Sequence, residues 1–193
     1  MLRTLLIILN LVCLPALLLA QGVFSNKTSA TLEKVIQDYP NRFRNIKGDL
    51  VQQNLQSTEY RSTVQLPGSV SGTVTKYSDN KNEVYSWSSV VYEEEDFEKV
   101  KAKFKETFEQ IRNMIIKIEG EKPFILHGQY QTPTEEKKFT TIILELLPSV
   151  GLMKKLKVDL SMQYVITGWK INLSVYDRDR NDDERGAITG NGE

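Results

Sequence analysis

One cysteine and one histidine stand among 193 residues. These two side chains close the common zinc sites, and a lone His127 without cysteines cannot build one. Cys13 lies in the N-terminal segment described below, so the processed chain is expected to have no disulfide and no thiolate nucleophile. A one-sided charge is also missing: Lys plus Arg and Asp plus Glu each number 25, and removing Arg3 leaves 24 against 25. Nucleic-acid binding calls for a basic face, and anionic bilayers attract basic clusters; this balance supplies neither. Glycines are scattered and none clusters before a helix, which excludes a phosphate-cradling loop. No Gly-x-Ser-x-Gly elbow is present to expose a serine nucleophile. No cofactor is expected.

The one long apolar run is Leu5 to Ala20, broken only by Asn10 and preceded by Arg3. A positive start, an apolar stretch and a small residue before Gln21-Gly22 have the form of a secretory signal. The run is short for a membrane span and contains Pro15. Val12 stands before Cys13 where a lipoprotein signal wants a small residue, which argues against lipidation. Cleavage is expected after Ala20, then a flexible lead over 21–27, one domain over 28–180 and a disordered charged, glycine-rich tail over 181–193. Export without cysteine suits the periplasm or surface of a Gram-negative bacterium, with no stable membrane insertion after cleavage. Asn26-Lys27-Thr28 and Asn172-Leu173-Ser174 are formal glycosylation triplets, read here as chance.

Within the domain, Leu32, Val35, Ile36 and Tyr39 hold the spacing of one helical side, with Thr28 or Ser29 as cap and Pro40 as stop. Residues 41–50 read as an irregular link. Three strands follow, over 58–66, 69–77 and 83–92, with Pro67-Gly68 and a turn over 78–82 between them. The stretch 93–120 is the strongest helix: Phe97, Val100, Phe104, Phe108, Ile111, Ile115 and Ile118 line one side. Acidic residues crowd its start, and Gly120 is expected to cap its end. Four strands complete the chain, over 124–130, 138–147, 156–166 and 169–176, and the last two alternate apolar and polar residues as a hairpin with one buried face. The expected fold class is α+β, an antiparallel sheet of about seven strands with two helices on one face, in the order α-βββ-α-ββββ, which suggests a duplicated αβββ unit.

Candidate sites are few. Asp177, Asp179 and Asn181 open like a calcium loop, but Asp182 occupies the position of the required glycine and Ile188 that of the bidentate glutamate. That run reads as a strand passing into water. His127 alternates with Phe124, Leu126 and Tyr130 and points away from the apolar face. Glu145 stands in an otherwise apolar strand; buried, its carboxyl would be pushed up unless a lysine or arginine paired with it. Tyr85 and Trp87 share a face of their strand, and a symmetric hairpin would add Tyr77, giving an aromatic strip of the kind that holds ligands and partners. The competing reading makes these rings core. The composition favours a non-enzymatic binding or accessory protein whose partner is a protein or small ligand of the envelope, working through a sheet face or edge. A carboxylate-dependent hydrolase or metal-dependent enzyme using Glu145 and the acids near Asp177 is the alternative.

Overall fold

The computed structural model describes residues 26–79 and 82–177. The expected leader, the tail, and Asp179 and Asn181 lie outside these residues.

The first helix, α1, is Lys27–Asp38. Its cap is Asn26, whose side chain accepts a hydrogen bond from the Thr28 N–H at 2.9 Å, so the helix begins ahead of the expected Thr28 or Ser29 and takes Lys27 from the lead. Ser29, released from capping, donates instead to the Gln110 carbonyl, as does the Asn26 side chain. Proline stops the helix as expected, through the single 3₁₀ turn Tyr39–Asn41 that contains Pro40.

The second helix, α2, is Phe97–Ile111 and is shorter than the sequence suggests. Asp96 caps it by accepting from the Lys99 N–H, while Glu93 and Glu94 finish the preceding strand. Its end is set by Arg112 in extended conformation and Asn113 at φ 59°, a left-handed position that asparagine tolerates. Beyond that break Ile115 is exposed and Ile116 buried, the period of a strand rather than a helix. Gly120, at φ 79°, serves a later turn and not a helix cap.

The sheet has nine strands rather than about seven. They are β1 Lys47–Gln53, β2 Ser57–Ser62, β3 Ser71–Asp79, β4 Asn82–Glu94, β5 Ile115–Ile116, β6 Phe124–His127, β7 Phe139–Leu147, β8 Leu156–Val165 and β9 Gly168–Asp177. The order of elements is therefore a helix and four strands, then a helix and five. Spatial order is β1-β2-β3-β4-β9-β8-β7-β6-β5, antiparallel throughout, so two meanders meet along β4 and β9. Strand β2 stops at Ser62 because the serine hydroxyl donates to the Val64 carbonyl and accepts from its N–H, turning the chain out of the ladder. Pro67 and Gly68 make the expected turn: Gly68 has φ 74° and the Ser69 N–H returns to the Leu66 carbonyl.

One face of the sheet is the core. Val74, Trp87, Val158, Leu160, Ile171, Leu173 and Val175 bury completely against Val100 and Phe104 of α2 and Leu32, Val35 and Ile36 of α1. Burying each such aliphatic chain contributes about 1.5–3 kcal/mol before chain entropy is set against it. The β8–β9 hairpin closes on this layer only with glycine at 168, since a Cβ there would lie 2.9 Å from the Glu94 carbonyl oxygen. The opposite face is mixed: Thr73 and Ser88 share a hydrogen bond, Thr141 donates to Asp159 and Lys170 pairs with Glu93, while Ile125, Ile143 and Leu147 stand exposed on the same side. Among the described residues no helix is long and apolar enough to cross a membrane.

Candidate functional site

The aromatic strip does not assemble. Trp87 is completely buried, and its indole N–H donates to the Ser62 hydroxyl at 3.0 Å, also inside the core. Tyr77 lies on the other face of the sheet. A five-residue turn over 78–82 would have set Tyr77 opposite Glu83, and so on the side of Tyr85. Asp79 instead pairs with Asn82, Tyr77 with Val84 and Lys76 with Tyr85. A shift of one residue in register exchanges the faces. Tyr85, which shares a side of its strand with the buried Trp87, lines a cavity.

That cavity, about 450 Å³, lies at one end of the sheet and draws on separated parts of the chain. Tyr39 and Phe43 supply one wall, their rings edge to face at 6.1 Å. Glu83 and Tyr85 of β4 supply a second, and Asp177 at the end of β9 lies beside them. The 3₁₀ turn Gly151–Lys155 brings Leu152 and Lys154 to the mouth, where Leu152 is 75% exposed. Arg42 completes the rim.

The loop that makes the first wall is held in a costly shape. Arg42 and Phe43 follow each other at φ 56° and 55°, both left-handed without being glycine. Each such residue costs about 1–3 kcal/mol and persists only where its surroundings dictate it. Asp38 dictates it here. Its buried carboxylate accepts from the Asn45 N–H at 3.0 Å, the Asn45 side chain at 2.6 Å and the Asn41 side chain at 3.1 Å. Its backbone carbonyl also accepts from the Phe43 N–H. The outcome is a fully buried Phe43 ring with the Arg42 side chain turned outward, 56% exposed.

Electrostatics at the cavity centre on Glu83. Lys76 donates to it at 2.6 Å, Tyr85 through its hydroxyl at 3.3 Å, and Arg42 stands 3.9 Å away. The Lys76 hydrogen bond holds the Glu83 carboxyl below the ordinary glutamate value, and the same bond raises Lys76. Burial pushes the Tyr85 phenol up, with the neighbouring Glu83 charge adding to it. Asp177 accepts from the Tyr39 hydroxyl at 2.7 Å. Because the folded Glu83 value is lowered, its contribution to stability is present above the unfolded value and is lost as pH falls through the folded one. A carbon-detected NMR titration should therefore give Glu83 a midpoint below that of an exposed glutamate, and Lys76→Met should move it back up.

The remaining candidates separate. His127 and Glu145 face each other across β6 and β7 on the side of the sheet away from the core. Glu145 is exposed there and ion-paired with Lys157, so it is neither buried nor without a partner. It is two strands from Asp177 and on the other face of the sheet, since Glu145 pairs with Lys157 and Lys157 with Tyr176, whereas Asp177 pairs with Leu156 of the core. Among the described residues no three His, Cys, Asp or Glu side chains come together as metal ligands would. The sheet's two edges are both blunted. Strand β5 has two residues, and β1 is broken by two register shifts with most of its side chains in water. Short and bulged edges are how sheets avoid pairing with other chains. Compared with known proteins, the chain matches no family model, no curated protein and no solved structure.

Proposed function

We propose that this is an exported, non-enzymatic binding or accessory protein of the bacterial envelope, and that its ligand or partner is held in the cavity between Tyr39, Phe43, Tyr85 and Leu152. The observation that carries this reading is the pair of left-handed residues, Arg42 and Phe43, locked in place by Asp38. Strain of this kind clusters at binding and catalytic sites. The cavity falls within the size range of small-ligand pockets and joins aromatic walls to a few polar groups, as such sites do. Export rests on Arg3 and the apolar run to Ala20, and on the confinement of cysteine to that segment. The blunted edges favour the cavity over strand addition as the means of binding.

The test is affinity capture from an envelope extract by the chain from residue 21 onward, with proteins and co-eluting small molecules identified, beside a Leu152→Asp variant. Leu152 is at the mouth and largely in water, so the substitution should alter stability by less than about 0.5 kcal/mol. Loss of the captured species in the variant is the expected result. Equal retention by both proteins would remove the cavity from the reading.

A further inference from the structure

We infer that the cavity's ligand is a small organic anion, a carboxylate, sulfonate or phosphate monoester carried on a flat apolar body. This rests on the reading of the cavity as the binding seat and adds its chemistry.

The acids of the cavity already have donors. Glu83 accepts from Lys76 and from the Tyr85 hydroxyl, and Asp177 from the Tyr39 hydroxyl. They therefore offer little to an incoming cation. The rim bases are placed differently. Lys154 is exposed and makes no ion pair or hydrogen bond with any described residue. Among the described residues Arg42 reaches only Glu83, at 3.9 Å, a carboxylate that Lys76 holds at 2.6 Å. Its guanidinium thus keeps most of its donors for something else, and a guanidinium fork matches an oxyanion. Lys155 adds a third positive side chain to the lining, against the two acids.

Between these bases the lining is apolar. The rings of Tyr39 and Tyr85 and the side chain of Leu152 present flat and aliphatic surface, with the Tyr39 ring backed by the buried Phe43, which suits an aromatic or planar body. The Tyr85 phenol is neutral at neutral pH, as an ordinary tyrosine is, and burial pushes it further up, so it adds no negative charge. A neutral apolar molecule would leave the rim cations unused; a cation would meet them head on.

Two fluorescent probes separate the terms: anilinonaphthalene sulfonate, an anion on fused rings, and phenylnaphthylamine, its neutral counterpart. Both are titrated into the protein, with the methyl resonances of Leu152 marking the site. The sulfonate should saturate the Leu152 shift, bind more tightly than the neutral probe and weaken as salt is raised. The double variant Arg42→Gly, Lys154→Ala should weaken the sulfonate by about tenfold and the neutral probe by less than about twofold, since each exposed charge contact is modest. Glycine at 42 keeps the left-handed loop, so folding does not limit the comparison. If the neutral probe moves Leu152 as tightly as the sulfonate does, the anion class falls while the seat stands. A sulfonate preference that survives the double variant overturns the role given to these two bases. If neither probe moves Leu152, the seat falls and the class with it.

Discussion

Replacing Trp87 with alanine should lower the free energy of unfolding by about 3–5 kcal/mol, the usual cost of emptying a large aromatic site. In a chain of this length that is on the order of 10 °C in Tm. Three features give the loss its size. The indole has no exposed surface, its neighbours across the sheet are Val74 and Val175, and its N–H is bonded to Ser62. Neither strand can slide into the space, because β3 and β9 hold β4 from both sides. Trp87→Phe keeps most of the ring contacts and loses the hydrogen bond, so it should cost about 1–2 kcal/mol. Urea unfolding followed by circular dichroism measures both. A Trp87→Ala protein as stable as the wild type would mean that the indole is not core, and would return it to the surface strip that the sequence suggests.

The second large effect should follow from Asp38→Ala. The carboxylate meets one backbone N–H and two side-chain amides, all of them left without an acceptor when it goes. The acceptor is buried and charged while Asn41 and Asn45 are exposed, so water recovers part of the loss and about 1.5–3 kcal/mol is expected here. Asp38→Asn should recover only part of it, because its amide oxygen can still accept the two side-chain donors that share Oδ1 while its NH2 would confront the Asn45 N–H that Oδ2 accepts. The consequence is local as well as global. With the lock removed, Arg42 and Phe43 have no reason to stay left-handed, so the Asn45 amide should lose hydrogen-exchange protection and the Leu152 methyl shifts should no longer respond to the sulfonate probe. Full protection of the Asn45 amide in the alanine variant would show that the loop is held by packing alone.

How far the sequence reveals this molecule depends on what each segment buries. Strands β8 and β9 alternate cleanly because one face meets α2 and the other meets water, so Leu156 to Met162 and Trp169 to Val175 are legible residue by residue. Strand β1 is exposed on both sides, and a strand that buries nothing leaves no alternation to read in Lys-Gly-Asp-Leu-Val-Gln-Gln. Strand β5 is hidden for the opposite reason. Ile115 and Ile118 continue the spacing of Ile111, so the helical stripe runs on in the sequence past the point where Asn113 ends it in space. The cavity is harder still. Tyr85 and Asp177 attract notice by themselves, but Arg42, Phe43 and Leu152 belong to loops whose meeting depends on the whole sheet. The available signal was local: Asp38, Asn41 and Asn45 surround Pro40, a grouping of short polar chains that marks a built turn.

The seam between β4 and β9 bears on how the chain comes to be folded. Strand β4 ends near the middle of the sequence, yet its second neighbour is the last of the described strands. A chain emerging N-terminus first, from a ribosome or through a membrane pore, presents β1 to β4 with one long ladder of amide and carbonyl groups unmatched until β9 arrives. Pairing across such a separation is slow, since much chain must be ordered before any of it is rewarded. In that interval Trp87 lacks its cross-strand neighbour Val175 and the edge of β4 is open, and an intermediate of this kind is prone to aggregate or to recruit a chaperone. Completion of the molecule is thus tied to delivery of its C-terminal end, and a chain truncated before Gly168 should leave the first meander open along its most apolar strand.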